Sequence, residues 1–416
     1  MVPPRLRRLA IFALLGAVLM VWTLFRREEW DHESLGGLES QYPLLYQHVH
    51  MQTGEGGAWY IPANWTTPTH KPPRNIVEAA EWALQATNAS DHYLPFSTIP
   101  MIVHQTWKTT RIDTWPQLLR HSAERWLQAA TEGPMAYFLW TDEGMAQLVH
   151  RFEPGLAMQF AGLASNVERS DVFRIVVSKW IGGVYGDIDT EPLRPPTQWI
   201  SATDLLPWTD TQTGTSYPAT APVQAIVGLE ADCREDTDTY WRMGYSQPVQ
   251  LTQWAFAWAP GHPILQTFLD RLTTTLQTIA DRYGGSLQSR AARQELLALD
   301  PLTLTGPAAF TEAVRSRLAE TTGLRWQALS GLEDGGRSKV VDDVLVLPIT
   351  GFSPGRGAYG NMGSKPVTDA SARLRHLAQG SWRAFDWTVE YGKFCRTMLG
   401  RCRDWSKVPV PSAAIA

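Results

Sequence analysis

Only three cysteines, Cys233, Cys395 and Cys402, occur in 416 residues, too few for a zinc framework or a dense disulfide scaffold. Cys395 and Cys402 could pair in an oxidising compartment, leaving Cys233 free. Charge of either sign is not in excess: 37 basic residues stand against 41 acidic ones, net −4. With no long basic block, nucleic acid is not expected as a partner. Internal repeats and low-complexity tracts are also missing. What remains is a chain of 44% hydrophobic residues, ample for a substantial core. Its length allows two or three domains, or one large α/β domain with appendages. The 19 tryptophans suit stacking on sugar rings and bases, but serve equally in cores and at membrane interfaces.

Near the N-terminus, Leu9 to Phe25 is an uncharged apolar run bracketed by Arg5, Arg7, Arg8, Arg26 and Arg27. As a helix it would be about 25 Å long, near the short limit for a bilayer. No small-x-small cleavage site occurs between it and the arginines, so an uncleaved signal anchor is expected rather than a signal peptide. The short basic tail before it is expected to stay cytoplasmic. Two sequons, Asn64-Trp65-Thr66 and Asn88-Ala89-Ser90, agree with a lumenal setting for the chain beyond the anchor. The stretch from Arg26 to Pro95 is rich in Pro, Gly, Ser and Thr, with one expected helix over Ile76–Ala86, and reads as a stalk.

From Ile99 the pattern changes. Short apolar strands (Ile99 to Trp107, Ala136 to Trp140) alternate with helical stretches at Gln117–Ala130 and Asn166–Trp180, which predicts an α/β domain with a largely parallel sheet. Ligands gather at the carboxyl ends of such strands, and His104, Gln105, Trp107, Asp142, Asp187 and Asp189 all fall there. Ile181-Gly182-Gly183-Val184-Tyr185-Gly186-Asp187-Ile188-Asp189 reads as a helix stop, a strand, and two carboxylates that alternation places on one face. Two like charges side by side call for a hard divalent cation with oxygen ligands; a polar strand end is the plainer alternative. On the preceding helix, Phe173, Val176, Val177 and Trp180 form a core face. Asp171 and Arg174, three residues apart, sit opposite, either as a surface ion pair or as contacts for a sugar hydroxyl and a phosphate.

These residues taken together resemble glycosyltransferase family 32. The likeness rests on Ile99-Pro100 through His104-Gln105-Thr106-Trp107-Lys108, then Ser170-Asp171-Val172-Phe173-Arg174, then Gly182 to Thr190. Val227 to Asp232, Gln253-Trp254, Gly261-His262-Pro263, Thr305-Gly306-Pro307, Gly351 to Gly355, His376 and Gly380-Ser381-Trp382 extend it to the fungal α-1,6-mannosyltransferase branch that starts the outer chain of N-glycans. The resemblance covers roughly residues 96 to 390. It implies a GT-A, Rossmann-like fold, GDP-mannose as donor, Mn²⁺ (or Mg²⁺) as cofactor, an N-linked oligosaccharide as acceptor, and a type II single-pass protein of the Golgi membrane, open to complexes with other mannosyltransferases. The expected organisation is a tail over 1–8, an anchor over 9–25, a lumenal stem over 26–95, a catalytic domain over 96–395 and a C-terminal tail over 396–416.

By the same resemblance, Asp187 and Asp189 would hold the metal and the donor diphosphate, with His376 completing the metal shell. An imidazole ligand tips the preference from Mg²⁺ toward Mn²⁺. Asp171, Arg174, Trp107, His104, Gln105 and Trp382 would contact substrate. Two departures stand out: Thr303-Leu304 where relatives often have an aromatic, and Arg375 or Leu377 where they often have a second His. Transfer between α-linkages would retain configuration, through a covalent intermediate or through same-face attack. Glu230 and Asp232 are the nucleophile candidates, placed here as acceptor contacts. His262 is expected to cap the helix at Pro263–Ile279. Rival readings are mannose transfer to inositol phosphoceramide, a phosphatase of the haloacid dehalogenase type using Asp342-Asp343, and a silent membrane-tethered lectin. The phosphatase motif wants Thr or Val where Glu191 stands.

Overall fold

The computed structural model describes residues 35–66, 72–356, 362–378 and 387–401. The expected anchor over 9–25, Trp382 and Cys402 lie outside them. Among the described residues no helix is long and apolar enough to cross a membrane.

Fourteen strands are described: β1 (Thr53–Gly54), β2 (Gly57–Tyr60), β3 (Ile102–Thr106), β4 (Ala136–Trp140), β5 (Gly183–Gly186), β6 (Thr190–Pro192), β7 (Trp208–Thr209), β8 (Ser216–Tyr217), β9 (Ala225–Asp232), β10 (Val249–Leu251), β11 (Ala255–Trp258), β12 (Lys339–Val341), β13 (Val344–Leu347) and β14 (Leu374–His376). Ten of them form one sheet in the order β1-β2-β4-β3-β5-β11-β9-β13-β12, with β10 against β9. The main helices are α1 (Ile76–Ser90), α2 (Gln117–Glu132), α3 (Asp142–Phe152), α4 (Asn166–Trp180), α5 (Pro263–Arg282) and α6 (Pro307–Thr322). Every residue of β3, β4 and β5 is buried. Strands covered on both faces have no solvent side to alternate with, which is why these appear as nearly unbroken apolar runs in sequence.

The sheet is mixed rather than largely parallel. Only β3–β4, β3–β5 and β9–β13 pair in parallel; β5–β11 and β11–β9 are antiparallel. Two reversals cancel, so β9 and β13 run in the same direction as β3 and β5. Thr106, Asp187 and Glu230 therefore reach one edge of the sheet, and Trp254, just before β11, arrives there from the opposite direction. Asp343, just before β13, lies at the other edge, where its carboxylate meets His262 at 3.2 Å. His262 caps α5 as expected, accepting from the Ile264 N–H.

Two expectations are corrected. The described part of 26–95 is not a stalk: β2 pairs with β4, Asn75 caps α1 through the Glu78 N–H, and Leu38, Leu45 and Val49 are buried. Apolar residues scattered among glycines had hidden this packing, since strands of two and four residues carry no readable period. On α4, Trp180 leaves the core face and is 38% exposed, while Asp171 and Arg174 are each 6% exposed. The helix is covered nearly all round, so its charged pair faces protein instead of water. The sequon residues Asn64 and Asn88 are exposed.

Candidate active site

Tight backbone approach builds the edge of the site. Gly182 and Gly183 have φ of +73° and +100°, and a Cβ on Gly183 would stand 2.4 Å from the Ile102 carbonyl oxygen. The turn therefore requires glycine. β5 ends at Gly186, so the two acids lie in a turn between β5 and β6 and not along an alternating strand. Thr190 closes that turn, its N–H and hydroxyl both donating to the Asp187 carbonyl oxygen at 3.0 and 2.6 Å. Trp254 accepts the Asp187 N–H through its carbonyl at 2.8 Å.

Asp187 Oδ1 receives the Arg174 guanidinium at 3.0 Å and the Tyr185 hydroxyl at 2.8 Å. Arg174 also meets Asp171 at 3.2 Å, donates to the Gln253 carbonyl at 3.2 Å, and lies over the Tyr185 ring. The Thr305 hydroxyl donates to the other Asp171 oxygen at 3.0 Å. One buried cation thus serves two carboxylates. Asp189, on the far side of Asp187, faces His376 Nε2 at 3.3 Å. Pairing of β14 with β6 sets this contact, with His376 opposite Thr190.

Three carboxylates, Asp171, Asp187 and Asp189, thus gather close to the Arg174 guanidinium and the His376 ring. Burial is the largest influence on Asp187, pushing its carboxyl up; the Asp189 charge adds to this, while Arg174, Tyr185 and His376 oppose it. For Asp171, burial dominates over Arg174, and with Asp187 repulsion it lifts the carboxyl to about 7. A divalent cation at such a cluster would favour the ionised carboxylates. Among the described residues no three His, Cys, Asp or Glu side chains form a metal cage. The donor set still suits a cation that brings phosphate oxygens with it: Asp189 and His376 stand together, and His376 Nδ1 is buried without a hydrogen-bond partner among the described residues.

A family model described as "Glycosyltransferase sugar-binding region containing DXD motif" matches residues 116–206, the segment that supplies Asp171, Arg174, Asp187 and Asp189. The chain is 33% identical over 230 residues to the initiation-specific alpha-1,6-mannosyltransferase of Schizosaccharomyces pombe, covering 55% of this chain and 50% of that one. Against the Candida albicans protein of the same name it is 29% identical over 245 residues, 55% and 57% of the two chains. The chain resembles the initiation-specific α-1,6-mannosyltransferases. It spans about half the length of these curated relatives. Inositol phosphoceramide mannosyltransferase 3 of S. pombe is 31% identical over 118 residues, only 26% of this chain and 30% of that one.

The rest of the mannosyltransferase-like motif set divides by position. Glu230 and Asp232 both belong to β9 itself. Glu230 is held by Gln250 Nε2 at 2.7 Å and the Trp254 indole N–H at 3.2 Å; burial pushes its carboxyl up against the opposing pull of Arg356 and these donors. Asp232 accepts from the Ser330 hydroxyl at 2.6 Å and the Gly331 N–H at 2.8 Å, tying down a loop. His104 is wholly buried, its Nε2 at 2.9 Å from the Gly182 carbonyl and its Nδ1 accepting from Trp140. Gln105 donates to the Asp187 carbonyl at 3.2 Å, so Gln105 holds the DXD backbone and His104 the glycine turn that leads into it. Trp107 is half-buried at the edge, against Trp115.

Tyr185, Thr305 and Trp254 belong to the site, although sequence alone gave them no role. Alternation with Asp187 was a signal for Tyr185; Thr305 and Trp254 stood in motifs of the family resemblance, but their partners are distant in sequence. Cys395 is disulfide-bonded and Cys233 is free. Neither of two prominent cavities, of 390 and 830 Å³, is lined by Asp187 or Asp189.

Proposed function

We propose that this protein is a retaining mannosyltransferase with a GT-A catalytic domain, which moves mannose from GDP-mannose to an N-linked glycan core in α-1,6 linkage. The observation that carries the reading is the Asp187–Asp189 turn at the carboxyl edge of the sheet, with His376 brought beside Asp189. A cation bound there, Mn²⁺ by the donor set, would neutralise charge developing on the departing diphosphate. Asp189 and His376 would hold it; Arg174 and Tyr185 keep Asp187 oriented towards it. Both Glu230 oxygens are already engaged, which disfavours a covalent glycosyl-enzyme and supports same-face attack. The phosphatase reading loses its second acidic pair, because Asp342-Asp343 stands at the opposite edge of the sheet. Attachment to the Golgi membrane through the 9–25 segment belongs to the same proposal.

The test is transfer from GDP-mannose to a trimmed N-glycan, with digestion of the product by linkage-specific mannosidases. Activity should require Mn²⁺ and vanish in Asp189→Ala. Equal turnover in chelator rules out the metal role; transfer to inositol phosphoceramide instead of the glycan moves the chain to the other relatives' reaction, and glycan binding without turnover makes it a lectin.

A further inference from the structure

His376 reaches Asp189 from a short ribbon that stands apart from the main sheet. β14 and β6 form a two-stranded sheet of their own, with Leu374 opposite Pro192, Arg375 opposite Glu191 and His376 opposite Thr190. Two strands without further neighbours are marginal by themselves. A slip of one residue would turn every β14 side chain to the other face, and His376 would leave Asp189.

Contacts on either side of the ribbon oppose such a slip. At its entry, Arg373 meets Asp204 at 2.6 Å and donates to the Trp199 carbonyl at 2.6 Å. At its exit, the Leu377 N–H donates to the Asp189 carbonyl at 2.9 Å. Between them, Arg375 Nε donates to Glu191 Oε2 at 2.7 Å, while His121 Nε2 lies 3.6 Å from the other oxygen of the same carboxylate. The Glu191 side chain is 6% exposed and that of Arg375 42%. The acid is thus buried beneath its base, unlike the exposed ion pairs that contribute little. Directly opposed charges of this kind favour one register over its neighbours. The proposed reaction gives neither residue a role, yet Arg375 is the strand neighbour of His376 and Glu191 lies two residues beyond Asp189.

We infer that Arg375 and Glu191 are positioning residues for the cation site: their pairing sets the β14–β6 register that holds the His376 imidazole beside Asp189. The inference rests on the proposed cation-dependent reaction for the ligand that the site takes. Arg375 acts through His376, with its own guanidinium turned to Glu191.

The experiment titrates the full-chain protein with Mn²⁺ by calorimetry, without donor or turnover, and records urea midpoints in parallel. Arg375→Gln and Glu191→Gln should each weaken Mn²⁺ binding about tenfold, the lower end of the loss seen when the support of a metal ligand is removed. Arg375→Lys, which keeps the charge, should retain most of the affinity. In a His376→Ala background, Arg375→Gln should cost nothing further, because the residue has no route to the metal except the imidazole. A lowered urea midpoint with unaltered Mn²⁺ affinity in both Gln variants overturns the inference, as does a full additional loss in the His376→Ala background. Absence of Mn²⁺ binding by the wild-type protein overturns the inference together with the cation reading. Wild-type protein that binds Mn²⁺ but transfers no mannose sinks the reaction assignment alone and leaves the positioning role standing, since that role is read from binding.

Discussion

Trp254 lies flat on His376, ring centroids 4.6 Å apart and planes 15° apart, and its indole N–H reaches Glu230 at 3.2 Å. The stack fixes the imidazole that faces Asp189, and Glu230 fixes the stack. This acid, a nucleophile candidate by sequence, acts here through its neighbour.

Replacing Trp254 by Phe keeps a ring on His376 and leaves one buried Glu230 oxygen without its donor. Unfolding in urea should show a loss of about 1–3 kcal/mol. Trp254→Ala also frees the imidazole, and divalent-metal affinity should fall about 10–100-fold, as when the support of a ligand is removed. Metal titration of the two variants separates the effects: the Phe variant should retain most of its affinity.

Asp171 gives a pH signature. Its folded carboxyl sits at about 7 while an ordinary one lies near 3.8, so between these values the folded state binds more protons than the unfolded state. Stability from this group is therefore present at low pH and lost as pH rises towards 7. Asp171→Asn should flatten that decline in a series of urea midpoints from pH 4 to 7. An unchanged slope would mean that Arg174 keeps Asp171 ionised throughout.

How much of this was visible in advance depends on the range of the contacts. Asn166–Trp180 and Ala136–Trp140 emerged with their observed bounds, because an apolar period or a short apolar run is a local signal. The Asp187–Asp189 pair was equally local. The burial of the Asp171–Arg174 pair was not, since Gln253 and Tyr185 enclose the arginine and Thr305 meets the acid, elements that only the sheet order brings together. Treating 26–95 as a stalk failed for the same reason: its glycines and prolines are as compatible with tight packing on β4 as with an extended tether, and only β2 pairing decides between them.

His104 should behave as a structural staple. Burial drives its pKa down to about 4 from 6.5, against the Gly182 carbonyl, so it is neutral when folded. Here the unfolded state binds more protons between those values, and stability should fall as pH drops from 6.5 through 4, opposite in sign to Asp171. His104→Gln should lose about 1–3 kcal/mol at neutral pH through its broken bonds and should lack the acid-induced loss. KM for GDP-mannose should not move, which a substrate-contacting histidine would not allow.

The glycine turn before the two acids offers the sharpest steric test. Gly183→Ala must accept both a φ of +100° and a Cβ 2.4 Å from the Ile102 carbonyl oxygen, whereas Gly214→Ala, with φ of +72°, meets nothing within 4 Å. Backbone strain alone is worth about 1–3 kcal/mol, so Gly214→Ala should fall in that range and Gly183→Ala beyond it. The excess measures the clash between β5 and β3. Because β5 leads directly into Asp187, any Gly183→Ala protein that still folds should also bind divalent metal more weakly, while Gly214→Ala should bind it normally. Equal stability losses in the two variants would show that β5 can shift away from Ile102, and that the position of the acids does not depend on this close approach.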